Sequence, residues 1–138
     1  MSVLLLRHAW AGDREAWQGD DRLRPLDERG REQALALRDL LAGRGVVRVV
    51  SSPYVRCVKS VEPLAAALGV AIETDERLAE GTPARHALAL LAELDGGLAC
   101  THGDVIEAVL GYGLRKGAAV VADVEDGKAT VDVALPAP

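Results

Sequence analysis

Two histidines, at least two arginines and a carboxylate draw attention because each falls in a polar segment directly after an apolar run. The segments are Arg7-His8, Ser51-Ser52-Pro53-Tyr54-Val55-Arg56, Arg77-Leu78-Ala79-Glu80-Gly81 and Thr101-His102-Gly103-Asp104. Guanidinium forks match phosphate oxygens bidentately, a neutral imidazole nitrogen can attack phosphorus, and a carboxylic acid can protonate a leaving group. Gathered on one surface, these residue types would transfer a phosphoryl group. They lie far apart in the chain, so the chemistry depends on the elements that position them.

Val3–Leu6 reads as a short buried strand. Asp27 to Ala42 has helical spacing, with Ala34, Leu37, Leu40 and Leu41 on one face, Asp27 placed to cap the start and Gly43 and Gly45 to end it. Val46–Val50 predicts a second strand, stopped by Ser51-Ser52-Pro53. Tyr54 to Leu68 predicts a second helix that Pro63 should kink or interrupt and Gly69 closes. Val70–Thr74 is a third strand, and Thr82-Pro83 is a cap and first turn for a helix over Ala84–Leu94. Leu98–Thr101 is a fourth strand, followed by a helix from about Val105 to Leu110. Ala119–Glu125 and Lys128–Ala134 flank Asp126-Gly127, the signal of a two-residue antiparallel hairpin. This alternation predicts an α/β fold over residues 1–138 as a single domain: a three-layer α/β/α sandwich with a mostly parallel sheet and a C-terminal antiparallel hairpin. Ligands of such sheets bind at the carboxyl ends of the strands, where the four polar segments fall.

With 138 residues, 49% hydrophobic and 27% charged, the composition is that of one soluble domain. No apolar run is long enough for a membrane span and no secretory segment is evident, so the expectation is a cytoplasmic protein without a membrane partner. A net charge of -5 and only 3% aromatic residues disfavour nucleic acid as a partner. Any anion site must therefore be small and focused. Cys57 and Cys100 read as free thiols. Neither begins a Cys-x5-Arg loop, because Pro63 and Ile106 stand at the sixth positions on.

Leu4-Leu5-Leu6-Arg7-His8-Ala9, then Arg24-Pro25-Leu26 with Gly30 and Gln33, Ser51-Ser52-Pro53 with Arg56-Cys57, Leu78 with Glu80-Gly81, and Thr101-His102-Gly103-Asp104 together resemble the histidine phosphatase superfamily, in its short phosphohistidine-phosphatase branch. The resemblance implies a phosphatase in which His8 is the nucleophile, Glu80 the proton donor and His102 the second pocket histidine. It also implies that Arg7 and Arg56 bind phosphate, with Arg24, Thr101 and Gly103 at the substrate site. His8 would attack phosphorus in line while Glu80 protonates the departing group, and water would then hydrolyse the phosphohistidine. No metal or other cofactor is implied. The expected partner is a phosphorylated substrate, either a phosphoprotein carrying phosphohistidine or a small phosphate ester such as a nucleotide. Ala9 stands where the family commonly has glycine, and the short linkers between Gly69 and Leu98 imply an open site, which disfavours mutase chemistry. His8 must be neutral to attack, whereas His102 helps most as a cation.

The residues alone leave other readings open. A metal hydrolase could recruit His8, Asp13, His102 and Asp104, although no His-Glu-x-x-His is present. A nucleotide-binding module would need a glycine-rich phosphate loop that the sequence lacks. A protein could also hold phosphate without turning it over. Asp104 rivals Glu80 as the acid, Trp10 could wall the site, Arg14 and Arg22 read as solvated loop residues, and His86 as surface.

Overall fold

Six strands form one sheet in the order β3-β2-β4-β1-β5-β6 in the computed structural model, which describes all 138 residues. The strands are β1 (Ser2–Arg7), β2 (Val49–Ser51), β3 (Ile72–Thr74), β4 (Leu98–Thr101), β5 (Ala119–Glu125) and β6 (Lys128–Leu135), and the α-helices are α1 (Glu28–Leu41), α2 (Val55–Leu68), α3 (Ala84–Leu91) and α4 (Gly103–Leu110). β1 to β4 run parallel to their neighbours in this set, while β5 and β6 are antiparallel. β1 is an uninterrupted apolar run because it lies between β4 and β5 with helices on both faces. Leu4 and Leu6 join Leu37 and Leu41 of α1 and Val61 and Leu64 of α2 in one cluster. Val3 and Leu5 face the other way, into Leu90 and Leu91 of α3 and Ile106 of α4. The period-two alternation of a strand thus places two helices on each face, the three-layer arrangement expected from the sequence.

Several boundaries differ from the sequence expectation. β2 begins at Val49, because its ladder partners begin at Leu98 and Ile72, and Val47 before it is 61% exposed. β3 likewise starts at Ile72. Pro63 sits inside α2 without interrupting it. The missing N–H leaves only the carbonyl of exposed Lys59 without its ladder bond, and water can serve it. Thr82 does not cap α3: its hydroxyl donates to the Glu76 carbonyl at 3.2 Å, and Pro83 takes the cap position. That helix ends at Leu91 in tighter turns, Glu93 N–H to Leu90 O and Leu94 N–H to Leu91 O. α4 starts two residues early, at Gly103, with His102 as its N-cap.

The long stretch between β1 and α1 folds back in two 3-10 turns, Arg14–Ala16 and Asp21–Leu23, each capped by an aspartate side chain. Asp27 caps α1 by accepting from Gly30 N–H at 2.7 Å. Gly30 is required there, since a Cβ would run into the Trp10 carbonyl. At the hairpin, Asp126 and Gly127 both have positive φ, 51° and 72°, the geometry of a type I′ turn.

Candidate active site

β2, β4 and β1 are adjacent in the sheet, so Ser52, His102 and Arg7-His8 emerge side by side at its carboxyl edge. The His8 and His102 rings meet edge to face with centroids 5.4 Å apart. The His8 backbone is fixed by its N–H to Thr101 O at 3.1 Å, and Ala9 N–H donates to Ser60 Oγ of α2 at 2.8 Å. His8 Nδ1 lies 2.8 Å from the Ala9 carbonyl, which can only accept, so Nδ1 carries the proton and Nε2 presents a bare lone pair. Burial pushes the His8 pKa down to about 3, with the charges of His102, Arg56 and Arg7 acting in the same sense. The ring is therefore neutral at any ordinary pH.

His102 is held from the other side. Its Nε2 lies 2.8 Å from Ser52 Oγ, which also accepts from Tyr54 N–H at 3.2 Å. A Ser52 hydroxyl donating to Nε2 leaves the ring proton on Nδ1, and a cationic ring carries one there as well. Tyr54 packs on His102 with ring centroids 4.6 Å apart, and Cys57 Sγ approaches Nε2 to 3.6 Å. Both cysteines are buried free thiols.

Arg56 is fully buried on α2. It donates to Asp21 O at 2.8 Å and to Asp21 Oδ2 at 3.0 Å, and reaches Glu80 Oε2 at 3.5 Å. Burial pushes the Asp21 carboxyl up, but the hydrogen bond from Arg24 and the charge of Arg56 outweigh it and keep the group below its ordinary value. Arg7 donates from Nη1 to Leu114 O at 2.7 Å and lies flat against Gly103. Burial lowers its pKa, and the negative charge of Asp104 opposes that. In the whole molecule three buried side-chain polar atoms lack a partner: Arg7 Nε, Arg56 Nε and His102 Nδ1. All three are N–H donors, and all belong to residues singled out in the sequence. An unsatisfied buried donor costs roughly 1–3 kcal/mol, and donors of this kind can serve an anion's oxygens.

The remaining candidates divide. Glu80 lies just past the 3-10 turn Glu76–Leu78 and is held by Arg14 at 2.6 Å as well as by Arg56. Asp104, its rival, accepts from Gly81 N–H at 2.7 Å and so braces the loop that carries Glu80. Thr101 does the same from β4, donating to Leu78 O at 2.6 Å. Arg24 is buried with its Nε on Asp21 and its Nη1 on Ala11 O. The hydroxyl of Thr101 and the guanidinium of Arg24 thus serve protein partners, and Gly103 provides room for Arg7. His86 is exposed. Ser52, Asp21 and Ser60 carry no individual signal in the sequence, and Arg14, which reads there as a solvated loop residue, pairs with Glu80. Ser52 lay within a quoted segment, whereas Asp21 and Arg14 sit in irregular turns with no periodic signal. No group of three or more His, Cys, Asp or Glu side chains is placed to share a metal ion.

A mostly parallel sheet with histidines and arginines at its carboxyl edge and antiparallel strands at one side defines a layered α/β protein. The profile of the histidine phosphatase superfamily (branch 1) matches residues 3–84, and the chain belongs to that family of phosphatase hydrolases. It is 36% identical to the 8-oxo-(d)GTP phosphatase of Mycolicibacterium smegmatis over 92% of its own length, and spans 45% of the length of that protein. The solved structure of the protein histidine phosphatase SixA with tungstate superimposes with a TM-score of 0.80 at 21% identity, covering 99% of this chain and 97% of that one. SixA of Agrobacterium tumefaciens superimposes with a TM-score of 0.75 at 26% identity, again over 99% and 97% of the two chains.

Proposed function

We propose that this chain is a metal-independent phosphatase that hydrolyses a phosphomonoester or phosphoramidate through a covalent phosphohistidine on His8. The observation that carries the reading is the set of three unpartnered buried donors, Arg7 Nε, Arg56 Nε and His102 Nδ1, around a neutral histidine whose Nε2 is free. His8 Nε2 bonds to phosphorus as the bond to the leaving oxygen or nitrogen breaks, and Glu80 supplies the proton to that atom. Water, deprotonated by the same carboxylate, then cleaves the nitrogen–phosphorus bond and releases orthophosphate. The two arginines and His102 offset charge on the three equatorial oxygens throughout. The substrate is a phosphorylated protein side chain or a small phosphate ester. The relative that acts on 8-oxo-(d)GTP, matching 92% of this chain, favours the small ester.

The test is to quench turnover of a radiolabelled phosphate ester in alkali, with chelator present, and to look for acid-labile, alkali-stable label on the protein. Label is expected on the wild type and absent from His8→Ala. Activity that survives in His8→Ala and disappears with chelator overturns the assignment. Phosphate binding without label or turnover on any ester or phosphoramidate would instead make the chain a binding protein.

A further inference from the structure

Beside Arg7 a groove of about 810 Å³ runs between the start of α1 and the segment joining α4 to β5, with the last residues of the chain as its far wall. Arg7, Arg29, Arg115 and Lys116 line it, and no Asp or Glu side chain does. That is unusual in a chain of net charge -5. None of the four cations forms a salt bridge, whereas Arg14, Arg22, Arg24, Arg56 and Arg77 each do. The cations are also held in place: Arg29 Cζ and Lys116 Nζ sit 4.1 and 4.2 Å from the centre of the Trp10 ring. Gln33 fixes the lip, accepting from Trp10 N–H at 3.0 Å and donating to Lys116 O at 3.1 Å. The Lys116 ammonium is pushed down by burial and then by the charges of Arg7 and Arg24. Asp27, the cap of α1, pulls the other way and Arg14 adds to the push. Like charges crowded with no paired carboxylate and only Asp27 and Asp104 acting from nearby attract a ligand that brings its own charge.

From this we infer that the substrate is a diphosphate ester, with its terminal phosphate on His8 and its second phosphate in the Trp10–Arg29–Lys116 cradle. Arg7, the last residue of β1, lines the groove and directly precedes His8. It can thus face both phosphates. The inference rests on the proposed phosphatase reading and extends the bonds cleaved at that site to a phosphoric anhydride. In the reaction, His8 Nε2 bonds to the terminal phosphorus and the bond from that phosphorus to the bridging oxygen breaks. The electron pair stays on the bridging oxygen, which takes the Glu80 proton. After hydrolysis the products are orthophosphate and a monophosphate ester. A cradle of one guanidinium and one ammonium, with Arg115 at its edge, offers donors to both free oxygens of the inner phosphate, which carries a single charge.

The test compares kcat/KM for a nucleoside diphosphate, the matching monophosphate, p-nitrophenyl phosphate and the carboxylated monoester phosphoglycolate, with chelator present. The diphosphate is expected to exceed the monophosphate at least about tenfold, and Lys116→Ala and Arg29→Gln should each lower the diphosphate to nitrophenyl ratio about five- to tenfold, through KM. Arg29 is exposed, so its substitution keeps the test sound should Lys116→Ala fold poorly. Equal rates for the two nucleotides, a ratio that survives both substitutions, or an equal gain with phosphoglycolate overturns the inference. These outcomes leave labelling of His8 intact, whereas absence of label overturns the underlying reading.

Discussion

Replacing Gly103 by alanine separates the chemistry of the site from the stability of the fold. A Cβ at position 103 would stand 2.8 Å from Arg7 Cζ, 2.9 Å from Nη2 and 3.0 Å from Nε, so the guanidinium must move. It is pinned on its other side by the bond from Nη1 to Leu114 O at 2.7 Å, and moving therefore turns Nε away from the position it holds. Each charge-assisted hydrogen bond to phosphate is worth about 1.5–3 kcal/mol, so losing one should lower kcat/KM about 10- to 150-fold. Stability should hardly change, because only the end of a flexible side chain yields. Alanine is also favoured over glycine in a helix by roughly 1 kcal/mol. The assay is steady-state hydrolysis of p-nitrophenyl phosphate beside a urea or thermal unfolding curve, for Gly103→Ala alone and in an Arg7→Lys background. The two substitutions should be far from additive, since both act on one guanidinium. A kcat/KM within threefold of wild type, or full additivity in the double variant, would refute the reasoning.

Two further outcomes concern His8 and Glu80. His8 is neutral in the folded chain down to about pH 3, whereas unfolded it takes up a proton near 6.5. Between those values the unfolded state binds one more proton, so stability falls as pH falls from 6.5 toward 3, by up to about 1.4 kcal/mol per pH unit, with no contribution above 6.5. Urea titrations should show a shallower acid limb in His8→Gln, and identical limbs would contradict the burial argument. For Glu80→Gln, hydrolysis of an alkyl phosphate should fall about 10²- to 10⁴-fold, while p-nitrophenyl phosphate, whose leaving group needs little protonation, should lose less than about tenfold. Equal losses on the two esters would remove Glu80 from the role of acid.

The elements that local signals delimit are the ones that match the sequence expectation. β4 lies at Leu98–Thr101, right after Gly96-Gly97, and β5 and β6 flank Asp126-Gly127, where both central residues need positive φ. β2 and β3 are shorter than their apolar runs because an apolar residue reports burial and says nothing about a ladder partner. Val46 is buried in the core ahead of the strand, and pairing starts only where Leu98 begins. Pro63 fails to interrupt α2 for a related reason. The helix it was expected to break is held by Cys57, Val61 and Leu64 against the sheet, and tertiary packing outweighs one missing bond.

At the site, a rule about strand ends sufficed for Arg7, His8, Arg56 and His102, because topology alone brings the carboxyl ends of β1, β2 and β4 together. The residues that complete it are of another kind. Asp21 and Arg14 arrive from 3-10 turns, and Lys116 from the irregular stretch before β5, where no periodicity announces a position. Asp21 and Arg14 are also the groups that balance charge. Asp21 pairs with Arg56 and Arg24, and Arg14 pairs with Glu80. Arg7, by contrast, has no carboxylate partner and hydrogen-bonds only the Leu114 carbonyl. The arginine furthest from water is thus bonded to protein on two of its nitrogens and the one beside His8 on one, while each keeps an Nε–H without an acceptor. A core built for stability alone would have paired both, since a buried donor without an acceptor has no compensating gain. Two guanidinium groups whose charges both act on one histidine, each with a donor left open, distinguish this edge of the sheet from an ordinary network of buried ion pairs.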